Sequence, residues 1–398
     1  MSIQSSLANI LTASADPRMA TPGKNKAFFI CLAIVVIGLG FGVSAFVVGH
    51  HNAYNNTREM PWGILIATYA FWAITSTGLC IYAAMSHILG GTRMGIVSNR
   101  MVWMSIMAIM GAFATIGVEI ASPHRMLLYN VLSPNPTSNI WWMGTLYGLA
   151  VGCMLVEFFG IVTGLARLAI IIGVFGALAE VGANSCLGGV FATLAGRPYW
   201  YGGQLPIYFL TSAFLSGAAA AVFFNHMAYK LRGEEMSEAV RLGVKSAGKA
   251  MTLVLILYTV ATFWRLVSYY VGGTELGRTA AGALIHGPLA VNFWVVEIGI
   301  GILIPLVLII LARGDNIPTM SFAGVLVLIG QFVARYDLVV AGQLVPQNLG
   351  WDNMPTYFSY IPSFSEFAVV AGSIGVVAMG FLLGERFFGK VFDQKEHH

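Results

Sequence analysis

Apolar runs long enough to cross a bilayer recur from one end of this sequence to the other, and a helix of ~20 such residues spans the hydrocarbon core. Few ways of folding survive that constraint, because in lipid every backbone N–H and C=O must be satisfied inside the chain. The expected fold class is therefore all-α: a polytopic membrane helical bundle. Only 10% of the residues are charged, against roughly 25% in soluble domains, which excludes a soluble enzyme. The 46 glycines suit helices that approach closely in lipid.

Reading the runs between Gly, Pro, Asn and charged residues predicts ten spans, near 27–48, 62–86, 101–121, 138–163, 165–183, 205–229, 249–271, 286–311, 318–345 and 362–384. Residues 1–26 are too polar for a cleavable signal, so the first helix is expected to stay. Within them Ile3, Leu7, Ile10 and Leu11 fall at helical spacing and suggest a short amphipathic segment. Residues 389–398 form a polar tail.

Ten spans put both termini on one side. Of the Lys and Arg outside the spans, fifteen then fall on the terminal side, and only Arg58, Arg125, Arg197 and Arg278 on the other. Positive loops stay in the cytoplasm, so both termini are expected there. The outward loops, such as Gly196-Arg-Pro-Tyr-Trp-Tyr-Gly-Gly203, are rich in aromatics. Interface belts account for part of this, and a docking surface for an extracytoplasmic protein is the other reading.

Ionisable residues inside membrane helices are costly and mark functional sites. Counting along each span places Glu119, Glu180, Arg265, Arg335, Asp337 and Glu366 in the outer half, with His286 at an outer helix start. Glu297 falls near mid-depth and Glu157 toward the cytoplasm. Ion pairs that fix helix register explain any one of these residues, but not so many at one depth. A polar pocket in an apolar wall suits a quinone, whose carbonyl oxygens need donors and whose reduction moves protons. The histidines offer no convincing axial pair for haem, since only His87 and His226 could face each other. The four cysteines stand singly, without the spacing that holds zinc or an iron–sulfur cluster. The chain is thus expected to carry neither haem nor cluster.

Short motifs follow in order: Pro61-Trp-Gly63, Glu119-Ile-Ala-Ser-Pro-His-Arg125, Ser138-Asn-Ile-Trp-Trp142, Asn292-Phe-Trp294 with Glu297, Val340-Ala-Gly-Gln343, and Tyr360-Ile-Pro-Ser-Phe-Ser-Glu366. At these residues the chain resembles the NrfD/PsrC family of polysulfide reductase membrane subunits, in the longer ten-helix branch of hydrogenase, sulfur-oxidation and alternative complex III systems. The resemblance implies a multi-pass subunit of a bacterial or archaeal cytoplasmic membrane that exchanges electrons between menaquinone or ubiquinone and an outward-facing partner. That partner would be a ferredoxin-like iron–sulfur subunit or a multihaem cytochrome, alongside a catalytic subunit. It also implies a duplicated four-helix unit, here 62–183 and 205–345, supported by Asn139-Ile-Trp141 and Asn292-Phe-Trp294 in equivalent places.

Joining these motifs to the polar cluster gives a candidate quinone site of Tyr69, Glu119, Arg125, Trp141, Glu180, Arg265, His286 and Asp337. Glu157, Glu297 and Glu366 are candidate steps of a proton path. Two departures bear on it. The family's Asp-x-Gly-Arg-Pro is replaced by Glu119 through Arg125, and Tyr69 stands where some members have a quinone-contacting His. The rival classes are a transporter or channel, which favours broken helices with midplane sites, and a passive anchor. The charge asymmetry predicts that cytoplasmic reporters fused after Arg232 and Lys395 are active and one fused near Asp352 is not. Activity at Asp352 would overturn the helix count.

Overall fold

The computed structural model describes residues 16–89, 93–347 and 354–393. The predicted amphipathic segment through Leu11, the outward residues around Asp352 and most of the polar tail lie outside them.

Among the described residues, ten helices are long and apolar enough to cross a membrane. They are α1 (Pro22–Val48), α2 (Ile64–Leu89), α3 (Gly95–Glu119), α4 (Asn139–Thr163) and α5 (Ala166–Ala192). Then come α6 (Gln204–Arg232), α7 (Glu238–Gly272), α8 (Asn292–Leu311), α9 (Ile317–Leu344) and α10 (Phe364–Phe392). All ten expected spans are present. Asp16 and Asp393 lie at one end of the bundle, here the near end; the first residues of α2, α4, α6, α8 and α10 lie at the far end.

Several helices differ in length from the prediction, and the differences move site residues. Helix α5 runs to Ala192 because Gly188 and Gly189 continue it, so Glu180 stands at mid-depth, not in the outer half. Helix α8 begins at Asn292, after Pro288, in place of 286. Glu297 therefore sits little more than a turn inside the far end, not at mid-depth. Residues Asn292–Leu303 form a π-helix in which Ile304 N–H reaches back to the Gly299 carbonyl. Pro305 accounts for the wide turn: it has no N–H, and in an α-helix its ring would strike the carbonyl four residues back.

Helix α2 is the centre of the bundle, flanked by α3, α5, α6 and α9. Helix α1 rests on α10 and buries only Gly38, Gly42 and Ala45. Small residues set the crossings. A side chain at Gly78 on α2 would run into the Ala213 carbonyl and Gly217 on α6, and one at Gly217 into the backbone of Gly78. Gly38 meets Gly372 and Gly301 meets Gly330 in the same way.

An ion cluster closes the near end. Arg100 binds Glu385 at 2.6 Å and Asn225 at 2.6 Å, while Arg232 binds Glu385 and Asp393. Asp16 lies 3.6 Å from Arg232 and 2.9 Å from Arg18, tying the segment before α1 to α6 and α10. Two cations expected in loops, Arg100 and Arg232, are thus buried inside helix ends. The expected aromatic docking loop also turns inward in part. Tyr199 and Trp200 are buried, with Trp200 Nε1 donating to the Leu338 carbonyl at 2.7 Å and its ring stacked 5.2 Å from Trp62, whereas Tyr201 is exposed.

A leucine at position 78 has no room unless α2 and α6 separate. Gly78→Leu is expected to abolish accumulation of folded protein, measured by size-exclusion of detergent extracts, while Gly148→Leu, at a site with open space around it, is tolerated.

Candidate functional site

Between the near-end ion cluster and the far-end helix cap, two centres of buried polar groups stand out among the described residues. The first lies between α2, α4 and α5. Helix α5 is built from Gly and Ala over its buried face, which lets α2 and α4 approach. Glu180 and Asn184 are one turn apart on that face, both fully buried. Ser76 and Thr77 of α2 hold the two Glu180 oxygens at 3.0 and 2.7 Å. Among the described residues the Asn184 amide finds no hydrogen-bond partner at either its oxygen or its nitrogen, an unusual condition for a group out of water.

Tyr69 and Tyr147 lie within electrostatic reach of Glu180, and Tyr69 Oη stands 3.5 Å from Met143 Sδ. From Glu180 polar contacts continue toward the near end. Ser76 Oγ and Ser105 Oγ are 3.0 Å apart, and Ser105 Oγ is 3.0 Å from Met154 Sδ. One helical turn further along α4, Glu157 lies 3.6 Å from His87.

The second centre lies between α6, α7, α8 and α9. Arg265, Arg335, Glu297 and Asp337 are all at least 97% buried. Tyr258 Oη reaches Glu297 at 3.3 Å and Tyr208 Oη at 2.6 Å. Arg265 lies over the Tyr208 ring at 4.6 Å and Arg335 over the Phe209 ring at 4.8 Å. Asn292 Nδ2 donates to Asp337 at 3.1 Å, and Arg335 Nη2 to Ser212 at 3.1 Å. Seven buried atoms here find no partner among the described residues: Tyr199 Oη, Arg265 Nε and Nη1, Arg335 Nε and Nη1, Glu297 Oε2 and Asp337 Oδ2. Sites with so many unpaired donors and acceptors suit ordered water, each molecule making about three bonds.

The expected quinone residues are therefore divided. Tyr69 and Glu180 belong to the first centre, with Trp141 at its far edge, where Nε1 donates to the Asn130 carbonyl at 2.7 Å. Arg265 and Asp337 belong to the second, together with Glu297 from the expected proton path. Glu119 ends α3 beside Glu366, at the corner of α1 and α10. Arg125 and His286 are exposed on the short helices Pro123–Leu132 and at the end of Glu275–Ile285, apart from both centres. Glu366 closes a capping box with Ser363 and also takes the Tyr360 hydroxyl and the Asn55 N–H, so its oxygens serve the start of α10. Glu157 is far from the second centre, next to His87.

Asn184 and Tyr147 were not singled out from the sequence. The signal for Asn184 was its i, i+4 spacing from Glu180; the signal for Tyr147 was its place two turns into the helix opened by Asn139-Ile-Trp141.

The two halves repeat details. Each has a short helix before its third long helix, Pro123–Leu132 before α4 and Glu275–Ile285 before α8. In each, a tryptophan three residues into the next helix bonds the carbonyl near that short helix's end: Trp141 to Asn130 at 2.7 Å, Trp294 to Ile285 at 2.9 Å.

Fold and polar interior together define a multi-pass membrane protein with two buried polar centres. The family model for NrfD, polysulphide reductase, matches residues 52–347, and the chain belongs to that family. A selenate reductase subunit from Mesobacillus selenatarsenatis is 29% identical over 209 residues, 51% of this chain, which covers 47% of that relative. The chain thus spans about half the length of that protein. The Hdr-like menaquinol oxidoreductase integral membrane subunit of Archaeoglobus fulgidus is 21% identical over 393 residues, 93% of this chain and 95% of the relative.

The second centre buries two arginines and two carboxylates with no direct Arg–carboxylate bridge among the described residues, so their charges offset one another across the cluster and not by direct contact. Glu297→Gln keeps the shape and the Tyr258 contact but removes a carboxylate that offsets buried arginine charge, and is expected to lower stability, largely restored by adding Arg265→Met. Thermal unfolding followed by thiol-dye labelling of buried Cys80 measures it; wild-type behaviour of Glu297→Gln would overturn the charge balance.

Proposed function

We propose that this protein is the quinone-reacting membrane subunit of a respiratory oxidoreductase complex, with its quinone site in the first centre. The observation that carries the reading is Asn184. Its buried amide, without a partner among the described residues and one turn from Glu180, offers a donor to a carbonyl oxygen and an acceptor to a hydroxyl. A quinone and its quinol present those two groups at one atom. The NrfD membership and the menaquinol oxidoreductase relative support the same chemistry, and menaquinone is the quinone the relative favours.

Oxidation of a quinol releases two protons and two electrons. Asn184 and Tyr69 orient the head group, and Glu180 is placed to hold a proton at Oε1 or Oε2, handed on through the Ser76 and Thr77 hydroxyls. Ser76, Ser105, Glu157 and His87 support a route from there to the near end. The two electrons pass to an iron–sulfur or haem subunit of the complex docked at the far end, and the reverse flow reduces a quinone by the same contacts. The second centre, with Glu297 and Asp337, supports proton exchange in the second four-helix unit. Both termini are cytoplasmic in this reading, and the two units are 62–183 and 205–345.

The test is quinol turnover in membranes holding the native complex. Asn184→Leu, similar in volume but without the amide, is expected to lower kcat/KM for quinol about 10–100-fold at normal assembly, with loss of co-extracted quinone. Undiminished turnover and quinone content would remove the site from the first centre.

A further inference from the structure

The two short helices that repeat between the halves are not sealed alike. In Glu275–Ile285 the residues Gly277 and Ala280 through Leu284 are buried, and Tyr357 bonds the Thr279 carbonyl over them at 3.0 Å. Pro123–Leu132 buries no residue at all. Met126, Leu127, Leu128, Val131 and Leu132 are 44–77% exposed, on a helix whose only Lys, Arg, Asp or Glu is Arg125. So apolar a surface continues the lipid-facing side of α4, where Ile140 and Leu149 are exposed.

The helices beneath it are also loosely joined. The hydrogen-bond and ring contacts between α3 and α4, Ser105 with Met154 and Trp103 with Phe158, lie at mid-depth and toward the near end. In the far half no hydrogen-bond or ring contact joins α3 to α4 among the described residues; Phe113 and Ile116 on α3 and Met143 and Leu146 on α4 are all half-buried, with Leu146 lying against Gly182 of α5. Met143 is the one that touches Tyr69 Oη. Its unbranched thioether changes rotamer easily, and it is half-buried where Tyr69 is buried. The short helix is fastened to α4 near its last turn, by Asn130 Nδ2 to Thr145 at 3.0 Å and Trp141 to the Asn130 carbonyl. Met126 and Leu127 lie one turn before Asn130 on the same side of the short helix and are 44% and 69% exposed.

We infer that a polyisoprenoid quinone enters the first centre sideways from the bilayer, through the far half of the seam between α3 and α4, past Met143 and beneath Pro123–Leu132. Met126 and Leu127 hold the first isoprene units of its tail. The inference rests on the quinone reading above and adds the route and the residues that recognise the tail. The occupant is set by chemistry: the route runs from lipid, past the apolar Met126, Leu127 and Met143, to a centre that holds a buried unpaired amide, and a molecule with a polar head and a long apolar tail suits both ends.

Two measurements on the native complex in membranes test it. The first compares a long-tailed menaquinol with a tailless naphthoquinol. Leu127→Gln is expected to lower the ratio of kcat/KM for the long-tailed over the tailless substrate about fivefold, the loss of one or two buried methylene contacts. The second uses the unsubstituted protein and a quinone with a diazirine on its first isoprene unit, which should label peptides containing 123–132 or Met143. An unchanged ratio, or labelling confined to other helices while both quinols are oxidised, overturns the route and leaves the quinone site standing. Absence of turnover and labelling with either quinone overturns the quinone reading and the route with it.

Discussion

The crossing of α2 and α6 at Gly78 and Gly217 is the contact on which the rest of the bundle depends. No hydrophobic drive brings helices together in lipid, so association rests on close backbone approach. With both residues reduced to hydrogen, the two helices meet backbone to backbone at the middle of the membrane. Each then serves its own half. Helix α2 brings Ser76 and Thr77 to Glu180, and α6 brings Tyr208, Phe209 and Ser212 to the second centre's arginines.

The two centres solve the burial of charge differently. Glu180 is held by two hydroxyls on a neighbouring helix, and beside it Asn184 keeps its full hydrogen-bonding capacity. The second centre sets two guanidiniums against aromatic rings and two carboxylates against Tyr258 and Asn292, leaving seven polar atoms for solvent molecules. The second centre thus offers its unpaired atoms to small polar molecules or water, and the first offers the Asn184 amide. The π-helical start of α8 belongs to the second centre, since its wide turn carries Glu297, and π-turns recur at functional sites.

At the near end, Arg100, Arg232, Glu385, Asp393 and Asp16 form a clamp from four parts of the chain. Its members are far apart in sequence and were counted there as loop charges or passed over. Glu366 shows the converse: a carboxylate that sequence position made a proton-path candidate is taken up by a helix cap.

The sequence by itself determined the membrane class, the ten helices, the family and the presence of a polar interior, because apolar run length and the cost of charge in lipid leave their marks on a linear chain. Tertiary structure alone decided which polar residues meet. The prediction counted depth from helix ends, and an error of six residues at the start of α8 and nine at the end of α5 moved Glu297 outward and Glu180 to the middle. Depth also carries no information about azimuth, so the one expected pocket became two centres, a carboxylate at the corner of α1 and α10 (Glu119) and two exposed residues (Arg125 and His286). Asn184 was invisible for a related reason: a buried amide signals a site only when its neighbours fail to bond it, and neighbours across a helix bundle are set by packing, not by spacing along the chain.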